Sequence, residues 1–258
     1  LCELGYDVHS YEPDREHAKI ARNFLKNYKN NTFHNQAVSS YSGKARYTKI
    51  VNNSTGGYIN DKKQGYGPTE VYEVDVIDAS TLAGAVVDGN CDSVLLMSYA
   101  TDGAAIMEAL SAQGFTGTVI GADGVADATF ATSFTDTSAV DGLIATKPRA
   151  GEASSAKTTF EAAYAAAGGA DGAIYTGETY DAVKIVAAAI VANTSGNIIA
   201  SLQKIGTNYD GASGVHTFDS AGDVLGTGYE VCQFAVSGAT VNFSCPTIWT
   251  ADGGLSDG

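Results

Sequence analysis

Tyr99 and Asp123 are the two residues of this chain whose types and spacing most plainly offer chemistry. Each closes a short apolar run: Asp92-Ser-Val-Leu-Leu-Met-Ser-Tyr99 in the first case, and Gly117-Thr-Val-Ile120 followed by Gly121-Ala-Asp-Gly124 in the second. Between the runs, residues 103–113 read as a helix, with Ile106, Met107 and Leu110 on one face and Gly114 as its C-terminal stop. Strand, helix and strand in that order predict a right-handed β-α-β unit with parallel strands, which carries both residues to one edge of the sheet. An aromatic ring beside a carboxylate at such an edge suits a ligand with a cationic amine and an apolar body. The same residues also read as a loop tyrosine and a turn aspartate before glycine.

A second candidate lies near the N-terminus. The alternating run Gly5-Tyr-Asp-Val-His-Ser-Tyr11 ends at Glu12-Pro-Asp14, and a helix over residues 15–28 follows, with Ala18, Ala21, Phe24, Leu25 and Tyr28 at helical spacing. Residues 32–38 and 44–51 read as further strands, again as in a parallel α/β unit. Glu12 just past a strand end could accept hydrogen bonds from ribose hydroxyls, or Glu12 and Asp14 could simply cap the helix.

The remaining polar groups form no catalytic pattern. His9, His17, His34 and His216 are scattered, and the chain holds no G-x-S-x-G, H-E-x-x-H or P-loop string. Among Cys2, Cys91, Cys232 and Cys245 there is no zinc-like spacing; Cys232 and Cys245 sit on two strand-like runs, so they read either as a disulfide or as two buried thiols. Asp219-Ser-Ala-Gly-Asp223 lacks the alternating ligands of a calcium loop and reads as a turn.

The 258 residues suffice for a sizeable core, and 44% hydrophobic against 17% charged residues describes a globular chain. The net charge of −14 argues against a nucleic-acid partner, which needs a basic footprint. That average conceals a break, because residues 1–77 carry a net +1 and residues 78–258 a net −15. Alanine shifts at the same place, from 4 in the first part to 35 in the second. Two sequence regimes joined near residues 64–82 are the expectation. No signal peptide or apolar run of membrane-spanning length is visible, and the start at Leu1 suggests a fragment.

Two resemblances give these regimes names. Tyr11-Glu-Pro-Asp14, Phe24-Leu-Lys-Asn-Tyr28, Thr32-Phe-His-Asn-Gln-Ala-Val-Ser39, Ser42-Gly43 and Thr55-Gly-Gly57 resemble the FkbM-type methyltransferases. That resemblance covers residues 1–77 and implies a Rossmann-like fragment in which Glu12 binds the ribose of S-adenosylmethionine and Gln36 and Ala37 lie beside its adenine. The family's glycine-rich loop would precede Leu1, and its catalytic half is not recognisable after Asp78, so the resemblance implies no turnover by this chain.

From about residue 80 to 250 the chain is similar to the branched-chain amino acid (Leu/Ile/Val-type) substrate-binding proteins of ABC transporters. The strings are Ser98-Tyr-Ala-Thr-Asp-Gly103, Gly114-Phe-Thr-Gly-Thr-Val-Ile-Gly-Ala-Asp-Gly124, Gly142-Leu-Ile-Ala-Thr-Lys-Pro148, Thr179-Tyr-Asp-Ala182 and Phe218-Asp-Ser-Ala-Gly-Asp223. This resemblance implies an α/β fold over residues 78–258, a parallel-sheet three-layer lobe of the type I periplasmic binding proteins, incomplete because the first lobe's sheet would lie before residue 80. Tyr99 then packs on a bound small amino acid and Asp123 receives its α-ammonium. It further implies a monomeric, non-enzymatic periplasmic protein without cofactor or metal, partnered by an ABC permease. A fusion of two fragments with neither activity intact is the alternative expectation.

Overall fold

The computed structural model describes residues 1–51, 57–59, 67–149, 151, 153–169, 175–194, 196–224, 226 and 228–258. They divide into two compact units: Leu1–Cys91 with Ala105–Thr116, and Asp92–Ala104 with Gly117–Gly258.

In the first unit, β1 (Val8–Tyr11) and β2 (Asn31–His34) pair in parallel on either side of α1 (Arg15–Leu25), as the spacing predicts. The expected strand over 32–38 is broken in two at Asn35, whose side-chain amide donates to the backbone oxygens of Glu12 and Pro13 and turns the chain. Its second half, β3 (Gln36–Ser39), joins another sheet with β4 (Gly43–Ile50), β5 (Tyr58–Ile59) and β6 (Thr69–Asp78), in the order β3-β6-β4-β5. β6 pairs in parallel with β3 and antiparallel with β4. In β6, alternation puts Val74 and Val76 inward, where they pack with Ala37, Ala45 and Tyr47, and leaves Glu73 and Asp75 outside to meet Lys44. The chain passes directly from β6 into α2 (Ala79–Asp88).

Aspartate starts both helices in the same way. Asp14 accepts from the amides of Glu16 and His17, and Asp78 from those of Ser80 and Thr81, satisfying donors that a helix end leaves unpaired. Asp14 is also buried and takes Lys49 Nζ at 3.2 Å and the Tyr72 hydroxyl at 3.2 Å, so α1 is anchored to β4 and β6 at one carboxylate. On α1 itself Ala18 is fully buried, but Phe24 is 72% exposed. The helical face inferred from spacing is therefore only partly a core face.

The second unit is built on a six-stranded sheet in the order β14-β13-β12-β9-β8-β7. Its strands are β7 (Ser93–Leu96), β8 (Thr118–Gly121), β9 (Ile144–Pro148), β12 (Tyr229–Ser237), β13 (Thr240–Thr250) and β14 (Gly254–Asp257). The three strands from β7 to β9 are parallel, and the other three run antiparallel to their neighbours, so the sheet is mixed rather than wholly parallel. Its largest fully buried side chains are Phe130, Phe234 and Leu143; Phe130 meets Phe134 and Phe234 edge-on, and Phe234 meets Phe243. Cys232 and Cys245 are joined by a disulfide at the irregularity between β12 and β13. α3 (Ala100–Ala112) follows β7; α4 (Ser155–Ala166), α5 (Thr176–Ala192) and α6 (Ile198–Ile205) lie between β9 and the hairpin of β10 (Tyr209–Gly211) and β11 (Gly214–His216).

The Asp14 anchor has a testable consequence. Burial alone would raise the Asp14 pKa, but the amides of His17 and Glu16 and the Lys49 ammonium outweigh it and hold it below the ordinary value. Its contribution to stability is therefore complete above the unfolded carboxylate's pKa of about 3.9 and disappears as pH falls through the lower folded value. Asp14→Ala is expected to lower urea stability at pH 7 by about 3 kcal/mol, because it strands Lys49 and removes a cap. The same comparison at pH 2 should show a much smaller difference; an equal difference at both pH values contradicts the account.

Candidate functional site

The parallel register of β7 and β8, with Leu96 opposite Gly121, places Tyr99 and Asp123 at the same sheet edge. Tyr99 stands immediately before α3, and Asp123 opens a short 3-10 turn after β8. The loops approach closely at Gly124: a Cβ there would lie 2.4 Å from the Ser98 carbonyl oxygen and 3.2 Å from Tyr99 Cδ1. Only glycine lets the backbone beside Asp123 lie against the Tyr99 ring. Tyr99 is 65% exposed and Asp123 half-buried, so solvent reaches both.

The structure adds a third residue. The Tyr175 hydroxyl donates to Asp123 Oδ2. Tyr175 precedes α5 with φ +61°, a left-handed conformation unusual for a residue with a Cβ, and aims its ring back at the β8 edge from a distant point in the chain. Burial, the bond to Asp123 and that carboxylate's charge all push the Tyr175 phenol pKa upward, so it stays protonated and a donor at neutral pH. A carboxylate has about four acceptor sites and can hold an ammonium beside the phenol. The sequence reading missed Tyr175; no spacing marks it, although Thr179-Tyr-Asp-Ala182 follows shortly after.

Asp181 belongs to a separate cluster. It is 2% exposed and accepts from Ala212 N at 2.8 Å, Ser213 N at 2.7 Å, Ser213 Oγ at 2.6 Å and His216 Nε2 at 3.3 Å. Ser213 Oγ also lies 2.8 Å from His216 Nε2. The residue types are those of a nucleophilic triad, but the arrangement is not: one imidazole nitrogen meets both partners, and the serine hydroxyl is spent on the carboxylate. It is a brace that fastens α5 to the β10–β11 hairpin. Burial would raise the Asp181 pKa, but the Ser213 hydroxyl, the two amides and His216 outweigh it and bring it below the usual value.

The other residues singled out from sequence are distributed as follows. Glu12 accepts from Asp14 N at 2.7 Å and lies 3.9 Å from His17, a local turn at the start of α1. Gln36 and Ala37 are on β3, with Ala37 in the small core of the first unit. Thr55 and Gly56 of the methyltransferase resemblance lie outside the described residues. Asp219 accepts from Ala221 N and Asp223 N, the geometry of a turn. Among the described residues, Glu230, Cys232 and Cys245 form a three-donor group, but both sulfurs are committed to the disulfide. A groove along α5 lined by Thr179, Val183, Val186 and Ile190 contains no charged side chain and offers nothing to a zwitterion. No helix among the described residues is long and apolar enough to cross a membrane.

The sequence profile of a family described as periplasmic binding protein matches residues 11–238. The chain belongs to the periplasmic binding protein family. The matched span includes most of the segment that resembles FkbM-type methyltransferases. Among solved structures, the leucine binding protein LivK of Thermotoga maritima is similar with a TM-score of 0.58 and 19% identity, over 97% of this chain and 62% of that one. LivJ of Streptococcus pneumoniae in complex with isoleucine gives 0.55 and 17%, over 93% and 60%. A type 1 periplasmic binding protein of Bordetella pertussis gives 0.53 and 18%, over 63% and 48%. At these identities the likeness is one of fold, and this periplasmic binding protein chain spans less than two thirds of the length of each of these relatives. No curated protein matches the chain.

The brace predicts a specific pattern of mutational effects. Asp181→Ala leaves the buried Ala212 amide and the part-buried Ser213 amide without their acceptor and should cost about 3 kcal/mol of unfolding free energy, whereas His216→Gln should cost about 1 kcal/mol or less. Chemical denaturation of the two variants measures this; equal losses would contradict the central role of the carboxylate.

Proposed function

We propose that the chain is the ligand-binding part of an ABC transporter substrate-binding protein, which captures a branched-chain or related small amino acid and presents it to a membrane permease. The observation that carries this reading is the convergence of Tyr99, Asp123 and Tyr175 on one sheet edge. Asp123 pairs with the ligand's α-ammonium, Tyr99 packs its ring against the aliphatic body, and Tyr175 holds the carboxylate in position while adding a donor. The Thermotoga relative is a leucine binding protein and the Streptococcus relative is in complex with isoleucine, which agrees with this ligand class. Binding and release need no bond to be made or broken, so the reading requires no enzyme activity and no cofactor. A periplasmic location is consistent with the Cys232–Cys245 disulfide, since such bonds persist in oxidising compartments. We further propose that the protein acts as a monomer.

Isothermal titration with leucine, isoleucine and valine tests the reading. At least one should bind, and Asp123→Ala should weaken it by about 100-fold or more, as expected for loss of a desolvated charge partner. Tyr175→Phe should weaken it about tenfold. No heat with any of the three, or binding indifferent to Asp123→Ala, overturns it.

A further inference from the structure

The β1–β2 pair carries a feature that amino acid binding does not use. Period-two alternation puts His9 and Tyr11 on one face of β1, and the parallel register sets Tyr11 opposite His34 and His9 opposite Thr32. Tyr11 stacks on the His34 ring at 4.4 Å between centroids and 8° between planes, fixing that imidazole from one side. His9 Nδ1 lies 3.2 Å from His34 Nε2, the two ring planes being 20° apart.

We propose that His9 and His34 form a binding site for a divalent transition-metal ion that favours imidazole, such as zinc, nickel or copper. Two imidazole nitrogens at this separation can hold either one shared hydrogen or one cation. With metal–nitrogen bonds of about 2.0–2.1 Å, a span of 3.2 Å corresponds to an angle of roughly 100° at the ion, within reach of tetrahedral or octahedral coordination. His9 is exposed and can swing slightly to direct its lone pair at the ion, while the stacked and half-buried His34 supplies the fixed ligand. Water completes the coordination shell, so the site is of moderate affinity.

Titration of the full chain with nickel chloride and with zinc chloride at neutral pH, followed by calorimetry, tests this. One site is expected for each metal, with binding weakened at least tenfold by His9→Gln and by His34→Gln and unchanged by His17→Gln. Thermal unfolding in a chelator verifies that the variants fold; because His9 is exposed, His9→Gln alone decides the matter if His34→Gln does not fold. Paramagnetic nickel should also broaden the NMR ring signals of His9 and His34 ahead of those of His17 and His216. Absence of binding by both metals, or binding that survives His9→Gln, overturns the proposal.

Discussion

Parallel pairing of β7 with β8 is the constraint on which the candidate site depends. Parallel neighbours require a crossover, here α3, and a crossover returns the chain so that successive strand ends emerge at the same edge. Tyr99 and Asp123 therefore come together without touching through the sheet itself. A slip of one residue in this register would turn Leu96 and Val119, both buried, toward the opposite face, so the packing that holds the core also holds the site. Gly124 completes the arrangement by letting the β8 loop reach the tyrosine ring.

Tyr175 and Asp181 show how a third element is brought to that edge. The carboxylate of Asp181, on α5, is saturated by Ala212, Ser213 and His216, which fastens the helix to the β10–β11 hairpin. Tyr175 stands immediately before the same helix, so the brace also limits where its hydroxyl can go. A buried carboxylate with four donors is rigid because releasing any one of them exposes unpaired charge in a poorly solvating interior. Two aspartates thus divide the work: Asp181 is enclosed and structural, whereas Asp123 is half-buried and retains capacity for a ligand.

Much of this was legible from local pattern. The β-α-β unit follows from apolar spacing and a glycine stop, and the common edge of Tyr99 and Asp123 from the parallel strands that such a unit requires. What sequence did not disclose depends on long-range geometry. The Tyr175 hydroxyl reaches Asp123 from 52 residues away, through a backbone conformation that no tyrosine advertises. β6 alternates cleanly over Thr69-Glu-Val-Tyr-Glu-Val-Asp-Val, but its place between β3 and β4 is set by long-range pairing that local alternation does not encode. Asn35 divides a strand-like run through two side-chain hydrogen bonds that hydrophobic periodicity does not encode. Phe24 has helical spacing with Ala21 and Tyr28, yet spacing defines a stripe and not whether another element covers it.

In the proposed binding mode Asp123 takes the ammonium end of the ligand, with Tyr175 as its support and Tyr99 against the aliphatic part. A bound zwitterion loses water from both its charges, and a half-buried carboxylate repels an anion while attracting a cation. Displacement of bound leucine separates the two ends of the ligand: leucinamide keeps the ammonium and lacks the carboxylate, and 4-methylpentanoate keeps the carboxylate and lacks the ammonium. Leucinamide is expected to displace leucine, and 4-methylpentanoate is not. Displacement by 4-methylpentanoate alone would contradict this binding mode.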